Sequence, residues 1–409
     1  MHRNAEKELS YWYDHSDIRP LYITGMRGTG KTTLVIGFAA SKTRSCIYIN
    51  LETNHDLRAF MLSKLSDNSS LADIICGYYG YSPEAVATSV IILDEIHTLE
   101  LKQEIVLFSK AHKGRLILTD SENVNEYILT DDRNFTHIML RPLSFGEFLD
   151  ACGKEWYREV IEGHFERLKK IPDLIHNELN DLYADYMLTG GMPAVVREYL
   201  ASPPETRLYN IDELQLREYR NICGGILSCE CRAADALKLL NGLAGNMASG
   251  SYYFNFSGIR KGTSYPYYKE VINKQEDSGI LIKTCFGNKV NLFFADPGVM
   301  GCILRSVLYC EEDLYYECIR RNCVAADLMN KNRKLSFWRS SHQAYVDFVI
   351  EEKGEKIPVK ILNKSGKNIR SLHIYEAAFR PEKMFAVGEE NFNIMGTVNV
   401  IPQYAVFCL

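Results

Sequence analysis

The stretch "GMRGTGKT", residues 25–32, sets Gly25, Gly28 and Gly30 ahead of Lys31 and Thr32. The spacing Gly25-x4-Gly30-Lys31-Thr32 is the one backbone needs to wrap a polyphosphate, because glycines let successive N–H groups converge on anionic oxygens. Lys31 would then bring a positive charge to the β/γ-phosphates, and Thr32 would offer its hydroxyl to Mg²⁺. The helix-like "TLVIGFAA" that follows would point the positive end of its dipole at the same anion. An apolar run, "PLYIT", stands directly before the loop, and this strand-then-helix context separates a phosphate loop from a mere tight turn. Gly25, Arg27, Gly28, Thr29, Gly30, Lys31, Thr32 and Thr33 are accordingly the candidate nucleotide-binding residues.

Further along, the apolar run "SVIILDEIHTLE" ends in Asp94 and Glu95. In a doubly wound sheet this places both carboxylates at a strand's C-terminal edge, beside the loop. Asp94 is the candidate for the Mg²⁺ shell and Glu95 for the group that polarises the water attacking a γ-phosphate. "GRLILTDSEN" ends with Thr119, Asp120 and Ser121. Of these Thr119 is the candidate sensor of the γ-phosphate, against the plainer reading of a polar residue where a strand meets a loop. Arg133, in "TDDRNFTHIML", could reach a neighbouring subunit's nucleotide if the chain assembles, or could be a surface arginine paired with Asp131 or Asp132.

Parallel strands buried on both faces read as continuous apolar runs, and the first half of the chain supplies five: residues 20–24, 45–50, 89–95, 114–120 and 136–142. Separated by helix-length amphipathic stretches, they predict an α/β core over residues 1–150. Residues 151–205 read as strand-free helices, a lid that ends at "ASPPETR", whose prolines give it the look of a linker. Residues 206–305 read as helices followed by the hairpin "SGILIKTCFGNKVNLFFAD", the pattern of a winged helix. Arg260, Lys261, Tyr265, Tyr267, Tyr268, Lys269 and Lys274 fall where a recognition helix would lie and could meet a DNA backbone. Glu270, Glu276 and Asp277 interrupt that positive face, so packing or protein contact is an equal reading. Residues 306–409 begin with a helix and continue as the strands "KLSFWRS", "AYVDFVIE", "EKIPVKIL", "KMFAVG" and "VNVIPQYAVF", a separate α+β domain.

With 46% hydrophobic residues over 409 positions the chain can bury several cores, and a formal charge of −5 gives no global attraction to nucleic acid. There is no run of the roughly 18 apolar residues a membrane span needs, nor an apolar signal-like core at the N-terminus, so a cytoplasmic protein is expected. The twelve cysteines are scattered. The pair Cys229 and Cys231 lacks the spacing of zinc ligands, and buried free thiols are the expectation.

Taken together, "GMRGTGKTTL", "VIILDEIHTLE", "LRPLSFGEFL", "LTGGMPAVV", "NLFFADPGVMG", "LYYECI" and "FWRSSHQAYVDFVIEEKGEKIPVKI" resemble the prokaryotic AAA+-type ATPases that join a phosphate-loop domain to a winged helix and a C-terminal domain related to restriction endonucleases. The resemblance implies ATP as ligand and hydrolysis to ADP and phosphate with Mg²⁺. A first hypothesis couples nucleotide state to motion on a DNA or protein partner, within a homo-oligomer if Arg133 is to reach a neighbour's nucleotide. The alternative is a slowly turning-over, nucleotide-switched scaffold. Two departures fall near the site: His97 stands where relatives carry Gln, and Asp120 where they carry Gly. In nuclease-derived tails a helix glutamate, a strand aspartate and an acid-x-lysine pair hold a metal. Glu317 and Asp347 match the first two, but Lys360 occupies the acid position, Leu362 the lysine position, and Tyr345 replaces a usual glutamate. A charged lysine cannot ligate Mg²⁺, so a nuclease-like fold without nuclease activity is expected.

Overall fold

A computed structural model describes residues 2–15, 19–43, 45–66, 70–96, 115–121, 135–229, 232–251, 253–307, 312–331, 333–341, 344–352, 354–363 and 368–409. The chain divides into two compact units, residues 2–141 with 277–279, and residues 142–276 with 280–409.

The first unit is built on five strands, β1 (Leu21–Thr24), β2 (Cys46–Asn50), β3 (Val90–Asp94), β4 (Leu116–Asp120) and β5 (Thr136–Met139). They pair in the order β2-β3-β4-β1-β5, and every pairing is parallel. Alternate residues of a strand face opposite sides, and here the two sides feed two separate cores. Leu21, Ile23, Val90, Ile92 and Ile117 pack with Leu9, Trp12, Val35 and Phe38 from the helices Ala5–Asp14 and Lys31–Lys42. Tyr22, Ile91, Leu93, Leu116 and Leu118 pack on the other side with Leu57, Met61, Ile74 and Ile75 from the helices His55–Ser66 and Leu71–Tyr79.

Burial on both faces holds for the three inner strands, β1, β3 and β4, which are buried at every position. It fails for β2 and β5, which are only partly covered. The reason is position in the sheet: both are edge strands, with a neighbour on one side only.

In the second unit ten α-helices accompany an eight-stranded mixed sheet among the described residues. Its strands are β6 (Leu281–Phe286), β7 (Lys289–Phe294), β8 (Lys334–Arg339), β9 (Tyr345–Glu352), β10 (Glu355–Ile361), β11 (Phe385–Gly388), β12 (Asn393–Met395) and β13 (Val398–Pro402), in the order β12-β13-β11-β10-β9-β8-β6-β7. The hairpin β6–β7 and the C-terminal strands therefore share one sheet, through the parallel pairing of β6 with β8. Strands β10 and β11 also run parallel, which demands a crossover, and the helix Arg370–Phe379 lies between them in sequence. The "ASPPETR" stretch is not an extended linker. One helix ends at Ala201 and the 26-residue helix Pro204–Cys229 begins three residues later, with proline where its missing N–H is harmless. "VNVIPQYAVF" is a strand only to Pro402; proline has no N–H to extend the ladder, and Gln403–Cys408 turn into a 3₁₀ helix.

The stretches "RPLSFGEF", "GGMP" and "ADPG" interlock inside this unit. Leu143 N–H donates to Gly191 O at 2.7 Å, Gly191 N–H donates to Asp296 Oδ2 at 2.7 Å, and Phe145 N–H donates to Asp327 Oδ1 at 3.2 Å. Position 191 admits only glycine, because a Cβ there would lie 2.2 Å from Leu143 O. Burial pushes the Asp296 carboxyl up to about 6, although backbone N–H groups oppose the shift. Burial likewise pushes Asp327 up to about 7.

Candidate functional site

The loop between β1 and the helix Lys31–Lys42 turns through three glycines with positive φ, Gly25 at 144°, Gly28 at 84° and Gly30 at 90°. At Gly25 the constraint is doubled, since a Cβ would meet Leu140 O at 2.1 Å. Arg3, buried, donates from its guanidinium to Thr29 O at 2.9 Å and to Arg141 O at 2.5 Å, so the loop is fastened to the chain leaving β5.

Lys31, at the first turn of that helix, is only 4% exposed. Its ammonium donates to Gly25 O at 2.7 Å, to Met26 O at 3.3 Å and to Ser121 Oγ at 2.7 Å. Burial lowers its pKa from the usual lysine range; the charges of Glu95, Asp120 and Asp94 oppose the shift, and Arg27 adds to it.

Asp94 ends β3, the strand two places from β1, and is fully buried. Oδ2 accepts from Thr32 Oγ1 at 2.9 Å, Tyr48 OH at 2.6 Å and Asn50 Nδ2 at 3.2 Å. Oδ1 accepts from the Thr119 hydroxyl. Burial and the bond to Asp94 push the Tyr48 phenol up to about 12. Hydroxyl and carboxylate oxygens are the ligands a hard divalent cation prefers, so Thr32 and Asp94 together fit Mg²⁺.

Glu95 follows with φ of 58°, a left-handed conformation that non-glycine residues rarely adopt. Its N–H donates to Thr119 Oγ1 at 3.2 Å, and both of its carboxylate oxygens are held by Ser121, Oε2 by the N–H at 3.0 Å and Oε1 by the hydroxyl at 2.5 Å. Asp120, also buried, accepts from Tyr22 OH at 3.0 Å.

The structure thus brings Gly25, Gly28, Gly30, Lys31, Thr32, Asp94, Glu95 and Thr119 into one cluster. The Thr119 hydroxyl donates to the Asp94 carboxylate and accepts from the Glu95 backbone N–H. Arg27 pairs with Glu52 at 2.8 Å, the Thr29 hydroxyl donates to Met26 O at 2.9 Å, and Thr33 is exposed on the helix. Arg133 and His97 lie outside the described residues. Ser121, Tyr48, Asn50 and Arg3 join the cluster without having been singled out by spacing. Two of them carried a signal: polar residues at alternate positions of "IYIN" share the strand face that leads to Asp94.

Residues 17–149 match a protein family described as an AAA domain. The match covers about a third of the chain and falls largely on the first unit, with its all-parallel sheet and three-glycine loop. No curated protein matches the chain. Among solved structures, the chain is similar to a signal transduction ATPase with numerous domains, with a tetratricopeptide repeat sensor, from Pyrococcus horikoshii, at 16% identity and a TM-score of 0.29 over 81% of this chain and 48% of that one. It spans about half the length of that protein. It is also similar to the Aeropyrum pernix ORC1 protein in complex with DNA, at 12% identity and a TM-score of 0.30 over 79% of this chain and 93% of that one. A third similarity is to Drosophila ORC bound to DNA, at 13% identity and a TM-score of 0.29 over 91% of this chain and 95% of that one.

Elsewhere, Asp347 on β9 is buried, and its Oδ2 accepts from Lys360 Nζ at 2.7 Å and from Ile361 N–H at 3.0 Å. Burial alone would raise this carboxyl; the charges of Lys360 and Arg321 with the two hydrogen bonds outweigh it and hold it below the usual carboxylate range. Glu317 is paired with Arg320 at 2.7 Å, and Leu362 is buried among Trp338, Val346 and Leu372. Among the described residues no group of three or more His, Cys, Asp or Glu side chains is placed to hold a metal ion. In the helix Tyr265–Asp277, Tyr268 is fully buried. Tyr267 lies under the guanidinium groups of Arg232 and Arg260, at 4.6 and 5.3 Å, while Arg260, Lys261 and Lys269 are exposed. Among the described residues no helix is long and apolar enough to cross a membrane.

Proposed function

We propose that this chain is a Mg²⁺-dependent ATPase of AAA+ type, hydrolysing ATP to ADP and phosphate. The observation that carries the reading is the convergence of Lys31, Thr32, Asp94 and Glu95 on a three-glycine loop at the C-terminal edge of an all-parallel sheet. The loop N–H groups and Lys31 would hold the phosphates, Thr32 and Asp94 the Mg²⁺, and Thr119, bonded to the Asp94 carboxylate and the Glu95 N–H, would sense the γ-phosphate. Glu95 would take a proton from water as the water oxygen bonds to the γ-phosphorus. The bond from that phosphorus to the bridging oxygen breaks, and ADP leaves with that oxygen.

Nucleotide state would be coupled to an unidentified DNA or protein partner, with Arg133 reaching across a homo-oligomer and the protein working in the cytoplasm. The proposed division is a P-loop core over 1–150, a helical lid over 151–205, a winged helix over 206–305 with Arg260, Lys261 and Lys269 toward DNA, and a nuclease-like domain over 306–409. The ion pair of Lys360 on Asp347 supports an inactive nuclease, because an ammonium fills the carboxylate that a metal would need. One observation favours the slowly turning-over scaffold as second reading: both oxygens of Glu95 are already engaged within the protein.

Calorimetric titration with ATP and Mg²⁺ tests the nucleotide site. Lys31→Ala should weaken binding at least about tenfold, as expected for loss of a buried charge on phosphate. Equal binding by wild type and Lys31→Ala, or none by wild type, would refute it.

A further inference from the structure

Lys31 has three N–H hydrogens, and all three are used inside the protein: two on loop carbonyls and one on Ser121 Oγ at 2.7 Å. The same Ser121 hydroxyl donates its own hydrogen to Glu95 Oε1 at 2.5 Å, while the Ser121 N–H holds Oε2 at 3.0 Å. A single side chain thereby links the group that would bind phosphate to the group that would activate water, in the order ammonium, hydroxyl, carboxylate. Ser121 is 4% exposed, Glu95 9% and Lys31 4%, so water competes poorly for these bonds.

We infer that Ser121 is a latch that keeps Glu95 withdrawn until a nucleotide phosphate draws Lys31 away. The inference rests on the reading of this loop as an ATP site. With Lys31 on its hydroxyl, Ser121 is turned to donate to Glu95, and a carboxylate held at both oxygens lacks the freedom to turn toward an attacking water. When phosphate captures the ammonium, Ser121 loses the charge that polarises its hydroxyl, and its hold on Glu95 loosens. Ser121 is thus a positioning residue, acting through Glu95 and Lys31.

The latch has two separable consequences. Without the hydroxyl, Lys31 lacks one of its internal acceptors, so nucleotide should bind more tightly. Glu95 should be released more readily, so turnover should rise. The experiment compares wild type, Ser121→Ala and Ser121→Thr, each checked by thermal unfolding, in two assays with Mg²⁺: calorimetric binding of the β,γ-imido analogue of ATP, and steady-state ATP hydrolysis resolved into kcat and KM. Ser121→Cys, which keeps the volume but donates poorly, replaces Ser121→Ala if the latter does not fold.

Loss of the hydroxyl should tighten analogue binding about threefold and raise kcat about fivefold, as expected for one hydrogen bond to a charged group partly replaced. Ser121→Thr, which restores the hydroxyl, should return both values toward wild type. A kcat at or below wild type in Ser121→Ala would overturn the latch while leaving the nucleotide site standing. If wild-type turnover is too slow to resolve, analogue affinity decides, and unchanged affinity overturns it. A wild type that binds no nucleotide would instead remove the ATP reading, and the latch with it.

Discussion

Replacing Asp327 by asparagine should change how the protein's stability depends on pH far more than it changes stability in acid. Asp327 lies fully buried with one oxygen accepting from Phe145 N–H, while Oδ2 has no hydrogen-bond partner among the described residues. Burial is the largest cause of its raised pKa, and the charge of Glu147 adds to it. A carboxyl near 7 when folded and about 4 when unfolded keeps its proton in the native state over that window while the unfolded chain loses it. Its contribution therefore falls as pH rises from about 4 to about 7 and is constant above. About three pKa units correspond to about 4 kcal/mol, of which about 3 kcal/mol lies between pH 5 and pH 8. Asparagine keeps an oxygen for Phe145 N–H and stays neutral throughout. Urea unfolding of both proteins at pH 5 and pH 8 is the assay, and comparing the two differences cancels the other titrating groups. Asp327→Asn should gain about 3 kcal/mol relative to wild type on going from pH 5 to pH 8. A relative gain below about 0.5 kcal/mol would refute the assignment of that titration to Asp327.

Two more substitutions probe the frame and the site. Gly191→Ala would force a Cβ against Leu143 O in backbone already fixed by a hydrogen bond, and should destabilise by about 3 kcal/mol or more. Its control, Gly37→Ala, meets nothing within 4 Å on a helix and should stabilise by up to about 1 kcal/mol, both read as thermal midpoints. Tyr48→Phe removes one of the donors that orient Asp94, at an edge strand where water partly compensates. It should raise the Mg²⁺ concentration for half-maximal ATP turnover about fivefold, the equivalent of about 1 kcal/mol. An unchanged Mg²⁺ dependence would contradict that role.

The parts of the site legible in the sequence are those encoded by neighbours along the chain. Gly25, Gly28, Gly30, Lys31 and Thr32 lie within eight positions, and Asp94 and Glu95 end an unbroken apolar strand, so spacing and context alone located them. The inner strands were equally plain, because strands covered on both faces need apolar residues at every position. Ser121, Tyr48 and Asn50 were not assigned roles, since their contacts with Glu95 and Asp94 depend on strand order rather than on local pattern. The same holds for the lock between Leu143, Gly191 and Asp296, which joins residues up to 153 positions apart (296 − 143). Where local chemistry was misread, a proline was involved: Pro402 stops β13, and Pro204 opens a helix in a stretch that reads as linker.

The central claim, that Glu95 activates water for ATP hydrolysis at this loop, is tested most directly by steady-state hydrolysis of ATP with Mg²⁺. The comparison is wild type against Glu95→Gln, across a protein concentration series with and without double-stranded DNA. The account predicts wild-type turnover about 100-fold or more above Glu95→Gln, the usual contribution of a positioned general base, with ATP still bound by the variant. Equal turnover by the two proteins would contradict it.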